Sequence, residues 1–344
     1  MKTAKDFEDL PEQTTELKDK PKPASDQLAD YYSLLGNGKR DLLGIDTGFK
    51  ELNKKTLGLD GLIVLGGKAG QGKTSLALQL ACNACELGTP AIVYSLEMPK
   101  VAIFTKILNR LASVKYSDIL LKGRQYLTDE TGQDKTGETG QDKKLLSDDE
   151  AGRLKDSKSR LEVLSKNLYI RSGERGETPI TFDAVEREIE LIKTTHKVDK
   201  VLVVIDHLQV FNIDSGEYND QIDKEGRLIQ GFKGISERTK ATIILISQKN
   251  KAGFQSTGLQ TIKGSVDIVY LADVVMLLES EQDKKDRGKA GDYDKLIEHF
   301  KDNTPQTIYL VIDKNRYNAP TAIKLEFNGQ YSNFTEGEAE TYPF

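Results

Sequence analysis

Apolar residues in this chain fall into short unbroken runs, separated by stretches in which they recur every three or four positions. Leu62-Ile63-Val64-Leu65, Ala91-Ile92-Val93-Tyr94-Ser95, Val201-Leu202-Val203-Val204-Ile205 and Thr242-Ile243-Ile244-Leu245-Ile246 are runs of strand length, rich in β-branched residues. A strand that is apolar at successive positions is one covered on both faces, as in a parallel sheet. Between these runs the period lengthens to that of a helix over residues 75–87, which Gly88 stops, and over 101–112, 145–166, 182–193 and 228–238. A short strand is expected at 168–170. Runs at 274–278, 308–312 and 322–327 complete the set, the last two as an antiparallel pair at the sheet edge. Strand alternating with helix predicts an α/β fold, a mostly parallel central sheet flanked by helices.

The pattern lapses in two places. Residues 1–24 mix Lys, Asp, Glu, Thr and Pro with few apolar residues, a disordered or linker composition, and 26–35 then carries apolar residues at the spacing of a short amphipathic helix ended by Gly36. Such a helix has no core of its own and must dock on its own globule or on a neighbouring copy. The second lapse is a nearly duplicated polar unit, Glu130-Thr131-Gly132-Gln133-Asp134-Lys135-Thr136-Gly137 followed by Glu138-Thr139-Gly140-Gln141-Asp142-Lys143, expected to be a solvated insertion. The expected organisation is a tail with a docking helix at 1–41, a core at 42–335 with an insertion at 128–144, and a tail at 336–344.

Composition narrows the function classes. A chain of 344 residues that is 37% hydrophobic and 30% charged reads as globular, and no apolar run reaches membrane-spanning length. The N-terminus lacks the apolar core of a signal peptide, so the expected location is the cytoplasm. Net charge is −5, with 49 basic against 54 acidic residues, so any nucleic acid must be met by a local basic lining. Cys82 and Cys85 lie on a predicted helix without further ligands nearby and read as small core residues. His196, His207 and His299 have no metal-ligand spacing, and His207, beside Asp206, reads as a packing residue.

Candidate chemistry begins at Gly67-Lys68-Ala69-Gly70-Gln71-Gly72-Lys73-Thr74, which fits a phosphate-binding loop and has the required flanks, a buried strand before it and a helix after it. Gly67, Ala69, Gly70, Gln71, Gly72 and Ser75 would surround the phosphates with backbone N–H groups. Lys73 reaches the β and γ phosphates, and the Thr74 hydroxyl ligates Mg²⁺. In an open parallel sheet, functional groups gather at the C-terminal ends of the strands. Asp206 closes 201–205, where an acid holds the metal through water. Glu97 follows 91–95, where a carboxylate can take a proton from the attacking water. Gln248 follows 242–246, and the loop after it carries Lys249, Lys251 and Lys263 as candidate DNA contacts. Lys314 and Arg316 close 308–312, two cations placed to meet an anion.

These segments, together with Gly44-Ile45-Asp46-Thr47-Gly48-Phe49-Lys50-Glu51-Leu52, Ser95-Leu96-Glu97-Met98-Pro99, Ile205-Asp206-His207-Leu208-Gln209 and Phe327-Asn328-Gly329-Gln330-Tyr331-Ser332, stand in the order found in the DnaB family of replicative helicases, whose RecA-like ATPase domain the chain resembles over residues 42–334. The resemblance implies a RecA-like phosphate-loop fold, Mg²⁺ and ATP as cofactors, a homo-oligomeric ring, hexameric in the family's manner, single-stranded DNA as partner, and a primase or helicase loader as further partners. It makes Glu97 the general base and Gln248 a γ-phosphate sensor, and sends Lys314 and Arg316 into the adjacent subunit's site. It implies a motor that moves along single-stranded DNA and unwinds duplex; the alternatives are a DNA-binding recombination or repair ATPase that does not unwind, and a regulatory ring without nucleic acid. Three departures stand out. Some forty mostly polar residues precede residue 42, so the family's primase-contacting N-terminal domain is expected to be absent. Asn318 stands where the family has glycine, and the loop after Gln248 has lysines but no arginine.

Overall fold

The computed structural model describes residues 23–25, 28–29, 32–33, 42–127, 146–174, 176–208, 211, 221–248, 270–280 and 304–337, the side chains of 125, 221, 222 and 248 excepted. Contacts divide the chain into residues 1–41 and 42–344. In the first unit Leu28, Ala29, Tyr32 and Ser33 are helical. The insertion at 128–144 lies outside the described residues, and so do Lys249, Lys251, Lys263 and His299.

The second unit is built on a sheet of nine described strands. They are β1 (Leu62–Gly67), β2 (Ala91–Ser95), β3 (Leu168–Arg171), β4 (Leu202–Asp206), β5 (Thr242–Gln248), β6 (Val274–Ser280), β7 (Gln306–Asn315), β8 (Thr321–Asn328) and β9 (Asn333–Glu336). Their order across the sheet is β3-β2-β4-β5-β1-β6-β7-β8-β9. Strands from β3 to β6 run parallel, and β7, β8 and β9 are antiparallel to their neighbours. The antiparallel edge therefore holds three strands where the sequence predicts two. The third, β9, is four residues long and alternates in burial, too brief for its period to show.

Eight helices are described: α1 (Lys50–Thr56), α2 (Lys73–Glu86), α3 (Lys100–Ala112), α4 (Tyr116–Lys122), α5 (Arg124–Leu127), α6 (Asp148–Leu164), α7 (Phe182–His196) and α8 (Gln221–Thr239). The continuous apolar strands have partners on both faces. Ile63, Leu65, Val93, Val204, Ile244 and Ile246 pack in one cluster with Leu76, Leu80 and Ala84 of α2. Their neighbours Leu62, Val64, Ile92, Val203, Ile243 and Leu245 point the other way, into Val185 and Ile189 of α7 and Leu228, Phe232 and Ile235 of α8. Burying so many aliphatic side chains, at about 1.5–3 kcal/mol each, holds the strand ends in place. A smaller cluster around Leu108, Val114, Ile119, Leu146 and Leu154 fastens α4 and α6 to α3. Cys82 and Cys85 are free thiols in the first cluster, and burial pushes that of Cys85 up to about 12. Among the described residues no helix is long and apolar enough to cross a membrane.

Candidate nucleotide-binding site

The phosphate loop lies between central strand β1 and the N-terminus of α2. Its shape depends on Gly70 and Gly72, whose φ angles are 80° and 87°. At Gly72 space is decisive as well as conformation: a Cβ would fall 2.7 Å from the Phe334 ring and 2.9 Å from that of Phe327. Those rings stack with centroids 4.3 Å apart and wall the loop from the β8–β9 side. Gln71 Oε1 accepts from the Lys68 N–H at 2.6 Å and closes the turn. The Lys73 ammonium is held within the loop, donating to the carbonyls of Gly67 and Lys68, both at 2.9 Å.

Strand register carries the other groups to this end of the sheet. Ser95 is opposite Asp206 in the β2–β4 ladder, and Gly67 is opposite Gln248 in the β1–β5 ladder. The backbone of Gln248 thus ends beside the loop. Asp206 is buried, and burial raises its pKa. The Thr74 hydroxyl hydrogen bond and the charges of His207 and Lys73 oppose that rise, while Glu97 adds to it. Glu97 is half-exposed at 48%, and its Oε1 lies 3.0 Å from His207 Nδ1, oriented so that no hydrogen bond forms. Ligand atoms of Glu97, Asp206 and His207 lie within 4.8 Å of one another. The sequence spacing of His207 gives no hint of this grouping, which arises only when β2 and β4 become neighbours.

A cleft of 350 Å³ joins these groups, lined among others by Gly70, Thr74, Glu97, His207 and Gly329. Its lining also contains a cation that sequence reasoning missed. Lys106 of α3 reaches Ser75 Oγ at 3.1 Å and Ser332 Oγ at 3.2 Å, and burial lowers its pKa against the pull of Asp206. One turn on, the Asn109 amide donates to the carbonyls of Gln330 and Val114. Gln79 of α2 clamps Phe334 through both its carbonyl and its N–H at 2.8 Å. The residues from Gly329 to Phe334 are therefore pinned over the phosphate loop by polar side chains from two helices. The signal for Lys106 and Asn109 was their spacing of three, which puts both on one face of the helix.

Lys314 and Arg316 are elsewhere. Because β7 runs antiparallel to β6, with Asn315 opposite Val274, its last residues lie at the N-terminal edge of the parallel strands. Gly67 pairs with Leu278 and Ile63 with Val274, so about 13 Å of strand separates the two edges. Lys314 Nζ donates to the Ala272 carbonyl at 2.6 Å and the Tyr270 carbonyl at 3.2 Å. Arg316 Nη1 pairs with Asp273 at 2.8 Å. Neither cation lines the cleft of its own chain.

A glycine-rich loop between a central parallel strand and a helix, with a buried aspartate closing a nearby strand, defines a phosphate-loop nucleotide-binding domain. The family described as DnaB-like helicase C-terminal domain matches residues 44–336, and the chain belongs to it. It is 25% identical over 298 residues to the replicative DNA helicase DnaB of Buchnera aphidicola subsp. Schizaphis graminum, covering 85% of this chain and 55% of that one. It is also 25% identical over 346 residues to the replicative DNA helicase DnaB of Rickettsia bellii, covering 93% and 63%. The chain thus spans between half and two thirds of these relatives. A solved structure described as an ATPase domain superposes with a TM-score of 0.71 at 19% identity, over 93% of this chain and 100% of that one. A DnaB-like replicative helicase, solved in a study of its interactions with primase, gives 0.69 at 19% identity over 92% and 69%. These likenesses establish a RecA-like fold.

Proposed function

We propose that the protein is the ATP-hydrolysing motor core of a DnaB-type replicative helicase, working as a ring of six copies that moves along single-stranded DNA and unwinds duplex. The observation that carries this reading is the placement of two sets of candidate groups at opposite ends of the sheet. The phosphate loop, Thr74, Glu97 and Asp206 share one edge, while Lys314 and Arg316 lie at the other and can serve a phosphate loop only on another copy.

The residues fit Mg²⁺: Thr74 and Asp206 offer hard oxygen ligands joined by a hydrogen bond, and the ion prefers such donors. When bound, it would neutralise charge between the β and γ phosphates. Lys73 would leave the Gly67 and Lys68 carbonyls for the phosphate oxygens. Glu97, half-exposed at the cleft with His207 Nδ1 3.0 Å away, would accept a proton from the attacking water. Lys106 would add a third positive group on the α3 side, and Gln248 would register the γ phosphate. Lys249, Lys251 and Lys263 would meet DNA, and a primase or loader would be a further partner.

ATP turnover with and without single-stranded DNA, alongside strand separation on a forked duplex, tests the reading. DNA should raise turnover, and the fork should open only with ATP. Stimulation without strand separation would instead indicate a DNA-bound ATPase of the recombination type, and turnover indifferent to DNA a regulatory ring.

Glu97→Gln should retain ATP binding but lose hydrolysis by about 10²–10⁴-fold, because the amide is nearly isosteric and cannot take the proton. Nucleotide binding by fluorescence, set against phosphate release, checks this; loss of binding would make Glu97 a ligand rather than a base.

A further inference from the structure

The Lys314–Arg316 end of the sheet surrounds a carboxylate that neither the cleft nor the phosphate loop uses. Asp273, only 3% exposed, immediately precedes β6. Its Oδ2 accepts from the Leu62 N–H at 2.7 Å, and Lys233 of α8 donates to both its oxygens at 2.9 and 2.7 Å. Arg316 Nη1 approaches Oδ1 at 2.8 Å, and the Arg316 backbone N–H donates to the Asp273 carbonyl at 3.0 Å. Space is kept for this carboxylate. A Cβ on Gly61, whose φ is 72°, would fall 2.3 Å from Asp273 Oδ2.

We infer that Asp273 is a positioning residue for Arg316, aiming its guanidinium out of the sheet edge toward the site of an adjoining copy. This rests on the proposed action of Arg316 across an interface. The two cations on Asp273 are held unequally. Lys233 is 12% exposed and chelates the carboxylate with both oxygens, whereas Arg316 is 47% exposed and uses one corner of its planar fork. Lys233 thus already balances the buried charge, its other neighbour being Glu237 at 3.4 Å, largely exposed on the same helix. Arg316 is oriented by Asp273 without being neutralised.

The remaining contact is a backbone one. Arg316 Nη2 donates to the Tyr270 carbonyl at 3.3 Å, so Asp273 and this carbonyl together engage two of the five guanidinium N–H groups. Lys314 donates to the same carbonyl and to that of Ala272, beside Arg316. On the opposite flank Tyr317 donates to Asp60 at 3.0 Å and Asn315 donates to the Lys55 carbonyl at 3.0 Å, so the strand end carrying the cations is fixed on both sides. A guanidinium held at one edge keeps its direction while its other edge meets phosphate oxygens. This saves the ordering that a free arginine side chain would undergo in the transition state.

The test is a pair of double-mutant cycles read in steady-state ATP turnover of the full chain. Asp273→Asn keeps the acceptor for Leu62 and removes the charge that orients Arg316. It should lower kcat by about 10²-fold, the scale of a small misplacement of a catalytic group, with KM for ATP unchanged because the phosphate loop is intact. In the Arg316→Ala background the same change should cost nothing further. Lys233→Met, which keeps the aliphatic stem, leaves Asp273 to neutralise Arg316 and should lower kcat in the same Arg316-dependent way; it decides the matter if Asp273→Asn does not fold, as judged by circular dichroism. Losses that simply multiply with that of Arg316→Ala in the folded pairs, or a raised KM in their place, would overturn the positioning role and leave the trans-acting arginine standing. Full turnover by Arg316→Ala alone would overturn both.

Discussion

Lys73→Ala is expected to abolish ATP hydrolysis while the protein remains folded. Lys73 is the first residue of α2, and its ammonium is drawn into the loop by two carbonyls that converge where phosphate oxygens bind. Removing it takes away a charge-assisted hydrogen bond to the transferring group, of the strong kind that ionised partners make. The surrounding cations do not replace it. Lys106 is held by Ser75 and Ser332 on the α3 side of the cleft, and Arg316 is at the other edge of the sheet. Stability should change little, because Ala favours helix at the first position of α2. Phosphate release, with a thermal melt of the same preparation, measures both effects. Near-wild-type turnover in a folded variant would place the active site away from this loop.

The parallel strands were legible because each is covered on both faces, leaving an unbroken apolar signal between polar punctuation. The same rule located Asp206 and Glu97, since a residue closing a parallel strand must lie at the sheet's C-terminal edge. It says nothing of depth or partners: Ser332 and Lys106 meet at the cleft although 226 positions separate them. Helix α1 was illegible for a related reason. Lys-Glu-Leu-Asn-Lys-Lys-Thr carries little periodicity, and its first N–H groups are satisfied by Glu336, whose carboxylate accepts from Lys50 and Glu51 at 3.0 and 2.7 Å across the whole chain. A helix capped from β9 cannot be read from its own residues. Lys314 and Arg316 show the converse. Their proximity predicts an anion site, but only the antiparallel run of β7 shows that they lie at the edge of the sheet opposite their own phosphate loop.

That geometry gives Arg316 its own expected result. Arg316→Ala protein should bind ATP normally, because its phosphate loop, Thr74 and Asp206 are untouched, yet hydrolyse it about 10³-fold more slowly or worse, the usual contribution of an arginine that stabilises a transferring phosphoryl group. The defect should be repairable by a partner. Lys73→Ala subunits carry an intact Arg316, and Arg316→Ala subunits carry an intact loop, so a mixed assembly contains interfaces at which both halves are functional. Two preparations that are each inactive should therefore regain part of the turnover when mixed under conditions that let subunits exchange. An arginine acting within its own chain allows no such rescue, since every subunit in the mixture lacks one half of the site. Native mass spectrometry of differently tagged variants, run beside the turnover assay, establishes that mixed assemblies have formed. Mixed assemblies without recovered activity would mean that Arg316 serves no neighbour, and the division of the site between two edges of the sheet would then have a purely structural origin in the Asp273 pairing.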